Sequence, residues 1–246
     1  MSGHSKWHNI QATKNKADAA RGKIFTKIGR EIAVAVKLGG PDPNINSKLY
    51  DVIQKAKQNN MPNDNIQRSI KKAAGGEDNG SYDPITYEGY GSHGVAFIVE
   101  CLTDNRNRTA ADVRHLFTKF NGSLGTSGSV AYMFDYKGII VIQKSDKIQE
   151  DDIMMIALDN GADDVLVDDD CFEVMAKPDA LHDLNKAFEK EGIEVVSSEV
   201  EYVPQNYISL DKDQAASVNK LILSLEDLDD VQNVYTNADL SALDEQ

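Results

Sequence analysis

The stretch Gly138-Ile139-Ile140-Val141-Ile142-Gln143 decides the fold. Four consecutive branched apolar residues bounded by a glycine and a polar residue are too few for a buried helix and match the length of a strand. Reading downstream, Glu150 to Asn160 is a helix closed by Gly161. Asp164 to Val167 and Cys171 to Ala176 form a hairpin over the turn Asp168-Asp169-Asp170, and Asp179 to Glu191 is a helix closed by Gly192. Glu194 to Val203 is a final strand. The order β-α-β-β-α-β is the split βαβ, ferredoxin-like pattern, complete within residues 136–203.

Upstream, Tyr87 to Tyr90 and Val95 to Leu102 read as strands joined by Gly91-Ser92-His93-Gly94, Thr109 to Phe120 as a helix, and Ser129 to Asp135 as a strand. Thr109 with Asp112 three residues on resembles a capping box. This β-β-α-β set lacks a helix and a strand, and the C-terminus supplies both, at Asp213 to Glu226 and Val231 to Tyr235. The expected architecture is therefore α+β, with two ferredoxin-like α/β modules of which the second, 136–203, is inserted into a discontinuous first, 81–135 and 204–246. Residues 1–80 read as a helical bundle. Ile24, Phe25, Ile28, Ile32, Ala35 and Val36 recur at the helical period over 22–38, and Gly39-Gly40-Pro41 stops that helix. Further helices follow from about Ser47 to Asn59 and from Asp64 to Ala74, and a weaker one over Ile10 to Ala20. Gly75-Gly76 opens a hinge.

The net charge of −14 argues against nucleic acid until its distribution is considered. Residues 1–80 hold 14 Lys and Arg against 7 Asp and Glu, whereas the remainder carries −21. Such asymmetry points to a nucleic-acid contact at the basic end. No run approaches the ~18 apolar residues that span a bilayer. The two cysteines, Cys101 and Cys171, form neither a CxxC pair nor a metal-ligand spacing, which fits a reducing cytoplasmic setting.

The candidate contact residues begin with Lys6, Trp7, Lys14, Lys16, Arg21, Lys23, Lys27 and Arg30. Lysine and arginine neutralise phosphates and release counterions. Trp7, the single tryptophan, either stacks on a base or packs in the bundle core. Lys23, Lys27 and Arg30 lie opposite the apolar arc, where a solvated helix face is the plainer alternative. Arg106 and Arg108, in Asp104-Asn105-Arg106-Asn107-Arg108-Thr109, stand where a strand meets a helix start, a place that suits both capping and anion binding. Gly122 to Ser129 lacks the ending of a phosphate-binding loop and reads as a flexible connection. His4 and His8 have no third ligand nearby, and the acidic clusters Asp151-Asp152, Asp168 to Asp170 and Asp227 to Asp230 lack calcium-loop spacing, so no metal or other cofactor is expected. No nucleophile–base constellation is readable, and the residues in 1–80 show no grouping of Asn, Gln and Arg of the kind that reads bases. The expectation is a monomeric, non-enzymatic binding protein without a small-molecule substrate. Its partner is nucleic acid, as ribosomal RNA or DNA, with a protein-interaction adaptor working through the acidic module as the third reading.

Gly3-His4-Ser5-Lys6-Trp7 and Arg21-Gly22-Lys23-Ile24-Phe25-Thr26-Lys27 resemble the YebC/PmpR family. So do Asn60-Met61-Pro62, Tyr87-Glu88-Gly89-Tyr90-Gly91, the Asp104 to Thr109 motif, Gly128-Ser129-Val130-Ala131 and Asp229 to Tyr235, which together span the chain in order. The resemblance implies three domains, one of them inserted, and control of gene expression without catalysis. Members of that family are usually named transcriptional regulators and some bind promoter DNA. Others act in translation, including a mitochondrial activator of cytochrome oxidase subunit I synthesis and bacterial relatives that act on ribosomes stalled at proline-rich sequences.

Overall fold

The computed structural model describes residues 18–75, 81–145 and 148–243, with side chains from residue 21 onward. The described residues form two compact units, those of 18–75 with 136–201 and those of 81–135 with 202–243.

The first unit holds three N-terminal helices, α1 (Asp18–Gly39), α2 (Ser47–Gln58) and α3 (Asn63–Ala74). The period-3.6 residues Ile28, Ile32, Ala35 and Val36 of α1 meet Leu49, Val52 and Ala56 of α2 and Ile66 and Ile70 of α3 in one buried cluster. The Asn60-Met61-Pro62 motif makes the turn between α2 and α3. Asn60 adopts a left-handed backbone (φ 57°), Met61 plugs the core, and Pro62 stands at the N-cap of α3.

The same unit contains the inserted module. Its elements are β4 (Phe134–Gln143), α5 (Glu150–Asp159), β5 (Ala162–Val167), β6 (Cys171–Ala176), α6 (Leu181–Lys190) and β7 (Val195–Pro204). The sheet order β5-β6-β4-β7 is the order a ferredoxin-like β-α-β-β-α-β chain produces. Ile140 and Ile142 of β4 and Phe172 and Val174 of β6 face α5 and α6 through Ile153, Ala157, Leu184 and Phe188. Period 2 along the strands and period 3.6 along the helices thus close one core.

The second unit is built on β1 (Asp83–Tyr90) and β2 (Ala96–Thr103), an antiparallel hairpin extended by β3 (Ser123–Leu124) on one side and β9 (Val231–Thr236) on the other. Helices α4 (Arg106–Lys119) and α7 (Lys212–Glu226) cover one face. There Val95, Phe97, Val99 and Cys101 meet Val113 and Phe117 of α4 and Val218, Leu221 and Leu225 of α7. Phe97 and Phe117 pack edge to face, 5.6 Å between centroids. A small parallel pair, β8 (Ile208–Ser209) with β10 (Ala238–Asp239), completes the unit. Its sheet order, β3-β1-β2-β9, differs from that of the inserted module.

Two local expectations fail here. Ser129 to Asp135 does not form its own strand. A helical turn at Ala131–Met133 leads directly into β4, and the strand that joins β1 is Ser123–Leu124. The alternating Val130, Tyr132 and Phe134 imitate a strand, but Val130 and Phe134 lie against Ala96 and Ile98 on the far face of the sheet. β3 approaches so closely that a Cβ at Gly89 would stand 2.5 Å from the Ser123 carbonyl oxygen. The second failure concerns α4, which starts earlier than Thr109. Its N-cap is Asn105, whose Oδ1 accepts from the Arg108 amide at 3.1 Å.

Candidate nucleic-acid interface

On α1, about 100° per residue places Lys23, Lys27, Arg30 and Lys37 within an arc of roughly 80°, opposite Ile28 and Ile32. Lys23 is exposed, while Lys27 and Arg30 are half-buried. Arg30 Nε is shielded from solvent, and all four side chains, with Arg21, already take part in interactions within the chain. The expected open basic face is therefore narrower than the helical pattern implies. Arg21 is exposed but projects on the side of α1 that carries the apolar residues farther along. Lys6, Trp7, Lys14 and Lys16, like His4 and His8, lie outside the described residues.

A second basic face, not expected from the sequence pattern, lies on α3. Asp64, Gln67, Arg68, Lys71 and Lys72 are all exposed. They fall within an arc of roughly 140°, opposite the buried Ile66 and Ile70. Gln67 and Arg68 place an amide and a guanidinium side by side on this face. The signal is present as i, i+3 and i, i+4 spacing of cations from Arg68, on a helix whose apolar side carries the plainer pattern.

The outward side of α2 is occupied within the first unit. Tyr50 donates its hydroxyl to Glu189 Oε2 at 2.6 Å, and Gln58 Nε2 donates to the Val195 carbonyl at 3.3 Å. Asp51 Oδ1 lies 3.1 Å from His182 Nδ1. Lys55 Nζ sits between Glu31 of α1 at 2.9 Å and Glu199 of β7 at 3.1 Å. Burial would lower the Lys55 ammonium, but the Glu199 and Glu31 carboxylates outweigh it and hold the group above the usual lysine range. Burial, reinforced by Glu189, pushes the Tyr50 phenol up to about 12. Burial also raises the Asp51 carboxyl, with His182 opposing.

In the second unit the two arginines at the α4 start face carboxylates. Arg106 Nε meets Asp83 Oδ2 at 3.1 Å on the surface. Arg108 Nη2 bridges Asp104 Oδ1 at 2.8 Å and the largely buried Asp230 Oδ2 at 2.7 Å, and these hydrogen-bonded charges raise the guanidinium further. The loop expected to be flexible is anchored as well. Glu88, 7 % exposed, accepts from the Gly128 amide at 2.7 Å, Val130 at 2.9 Å and Ala131 at 2.8 Å. Backbone N–H groups that converge on an anion here hold the chain's own carboxylate. Among the described residues no group of three His, Cys, Asp or Glu is arranged to hold a metal ion, and no helix is long and apolar enough to cross a membrane.

The family motifs thus acquire partners: Glu88 joins Gly128 to Ala131, and Arg108 joins Asp230. Comparison with known proteins agrees along the whole length. A protein from Acetivibrio thermocellus named "Probable transcriptional regulatory protein" is 61% identical over 96% of this chain and 98% of its own. One of the same name from Clostridium botulinum is 54% identical over 97% of both. The crystal structure of a conserved hypothetical protein from Aquifex aeolicus superposes with a TM-score of 0.80 at 41% identity, covering 91% of this chain and 92% of that one. Residues 5–76 match the TACO1/YebC N-terminal domain and residues 82–238 the TACO1/YebC second and third domain, so the chain belongs to the TACO1/YebC family.

Proposed function

We propose that this protein is a nucleic-acid-binding regulator of gene expression that works on RNA, as a ribosome-associated translation factor without catalytic activity. The observation that carries the reading is the concentration of exposed cations on the helical bundle, Lys23 on α1 and Arg68, Lys71 and Lys72 on α3, in a chain whose remaining residues are strongly acidic. Cations on one module give orientation: phosphates attract the bundle and the acidic modules are repelled. Lys6, Lys14 and Lys16 add to the same positive charge, and in this reading Trp7 would stack on a base. Arg106 and Arg108 contribute less, since both already neutralise carboxylates of the chain. Relief of stalling at proline-rich sequences is the translational role this reading favours.

A DNA-binding transcriptional regulator is the second reading, favoured by the names of the relatives. Sedimentation of lysate through sucrose separates the two. A ribosome factor runs with ribosomal particles at low salt and leaves them as salt rises. Particle-free protein that discriminates one promoter strongly from random DNA at physiological salt would overturn the translational reading.

A further inference from the structure

We infer that the exposed face of α3, carrying Gln67, Arg68, Lys71 and Lys72, is the surface that docks a double-helical segment of folded RNA. This rests on the nucleic-acid reading above and names the element that makes the contact. Of the three described helices of the bundle, α2 directs Tyr50, Asp51, Lys55 and Gln58 to the inserted module. On α1, Lys27 and Arg30 are half-buried. Of these three helices, α3 presents three exposed cations within one arc, Lys72 among them already interacting within the chain, backed by Ile66 and Ile70 in the core.

The occupant follows from charge and shape. Arg68 and Lys72 stand one turn apart with Lys71 beside them, so three cations cover about one turn of helix, a rise of roughly 6 Å that suits adjacent phosphates. Asp64, the acidic residue of the face, sits in the first turn, where the helix dipole favours it, one turn before Arg68. Gln67 places an amide, both donor and acceptor, on the same face. A-form RNA offers 2′-hydroxyls across a wide, shallow minor groove that such a group can reach without insertion. The inserted module, packed against α2 and rich in Asp and Glu, repels a long phosphate rod more than a short helix of a folded RNA.

The test uses the full chain and fluorescence anisotropy against a short GC-rich RNA hairpin and the DNA hairpin of identical sequence. The variants are R68E/K71E/K72E, the conservative R68K/K71R/K72R, and K23E/K27Q/R30Q on α1, each checked for an unchanged melting temperature. The α3 reversal is expected to weaken RNA binding by at least about tenfold and to flatten the slope of log affinity against log salt by roughly 2 to 3, about 0.9 for each duplex phosphate that is no longer neutralised. The conservative variant is expected to bind as the parent does. Undiminished RNA affinity in the α3 reversal, with weaker binding in the α1 variant, would overturn this inference and leave the proposed function standing. Tighter binding of the parent to the DNA hairpin would overturn the choice of RNA. Failure of the parent to bind either hairpin or ribosomes would overturn the proposed function itself.

Discussion

Arg108 and Asp230 form an ion pair at 2.7 Å that joins the first turn of α4 to the residue preceding β9, 122 positions later in the chain. The Asp230 oxygen that receives Arg108 also lies 2.7 Å from the Thr109 hydroxyl and 3.2 Å from that of Thr103. Asp230 is 7 % exposed, so its charge depends on these partners. The two sequence motifs that contain these residues meet in one structural joint.

Removing that joint has a definite cost. Asp230→Ala removes the charged acceptor shared by the Thr103 and Thr109 hydroxyls, which keep each other and the Asn105 backbone as partners, and leaves Arg108 with Asp104 only. Charge-assisted hydrogen bonds contribute roughly 1.5–3 kcal/mol each, so a loss of about 2–4 kcal/mol is expected. Arg108→Ala, which leaves Asp230 its two hydroxyls, is expected to cost less. Urea unfolding monitored by the tyrosines of the second unit measures the order, and a larger loss for Arg108→Ala would contradict it.

Glu88 makes the stability of its loop depend on pH. Burial raises its carboxyl, but the amides of Gly128, Val130 and Ala131 prevail and hold it below its ordinary value of 4.5. A depressed folded value means that stability is fully present above the unfolded value and is lost as pH falls through the folded one. Glu88→Gln cannot accept from three amides with equal strength and is expected to melt earlier than the parent at neutral pH, by an amount equivalent to about 2 kcal/mol. The gap stays constant above about pH 5 and closes below the ordinary carboxylate range. Melting curves across pH 3 to 7, taken as roughly the span of carboxylate titration, test this.

Asn46 binds two helix ends at once. Its Nδ2 donates to the Ala35 carbonyl at 2.9 Å and the Gly40 carbonyl at 2.7 Å, at the C-terminal end of α1, while its Oδ1 accepts from the Leu49 amide at 3.0 Å as the N-cap of α2. Gly39 makes room for it, since a Cβ there would stand 2.7 Å from the Asn46 carboxamide. Asn46→Ala is expected to destabilise the bundle by about 2 kcal/mol, more than the ~1 kcal/mol of an ordinary cap. Gly39→Ala is expected to displace the same side chain and cost a similar amount. Additive losses in the double variant, measured by helical circular dichroism, would show that the two residues do not act together.

Asn46 also shows where sequence reading stops. Ser47 to Asn59 is legible as a helix because Leu49, Val52 and Ala56 follow its period. The bond from Asn46 back to Ala35 depends on how α1 and α2 cross, which no local pattern encodes. The inserted module is legible to its strand order because period and turn residues agree at every step from Gly138 to Val203. Ser123–Leu124 is not, because two residues carry no period. The basic N-terminal portion is visible in composition. That α2 turns toward acidic residues, leaving α3 outward, follows from Tyr50, Lys55 and their distant partners Glu189 and Glu199, and only the fold brings these together.

Excision of the inserted module tests the discontinuous arrangement directly. Where the chain leaves the second unit and where it returns, it is tied together: the Gln205 amide donates to the Met133 carbonyl at 2.9 Å and Gln205 Nε2 donates to Asp135 Oδ1 at 2.9 Å. Tyr202 packs edge-on against Tyr235 at 5.4 Å on the same side of the sheet. A short glycine linker can therefore replace residues 136–201, and the joined chain, 79–135 followed by 202–246, is expected to melt as one cooperative unit. Residues 79–135 alone are not, because Val218, Leu221, Ile222, Leu225, Val231 and Ala238 supply half of the buried core and β9 supplies the partner of β2. Without them Val99 and Cys101 face water, at about 25 cal/mol for each Å² exposed. The excised module, residues 136–203, contains all four strands and both helices of its core and is expected to fold by itself, though less stably than in the full chain, since Glu189 and Glu199 lose Tyr50 and Lys55. Calorimetry of the three fragments decides: a cooperative transition for 79–135 alone, or none for the joined chain, would contradict the discontinuous arrangement.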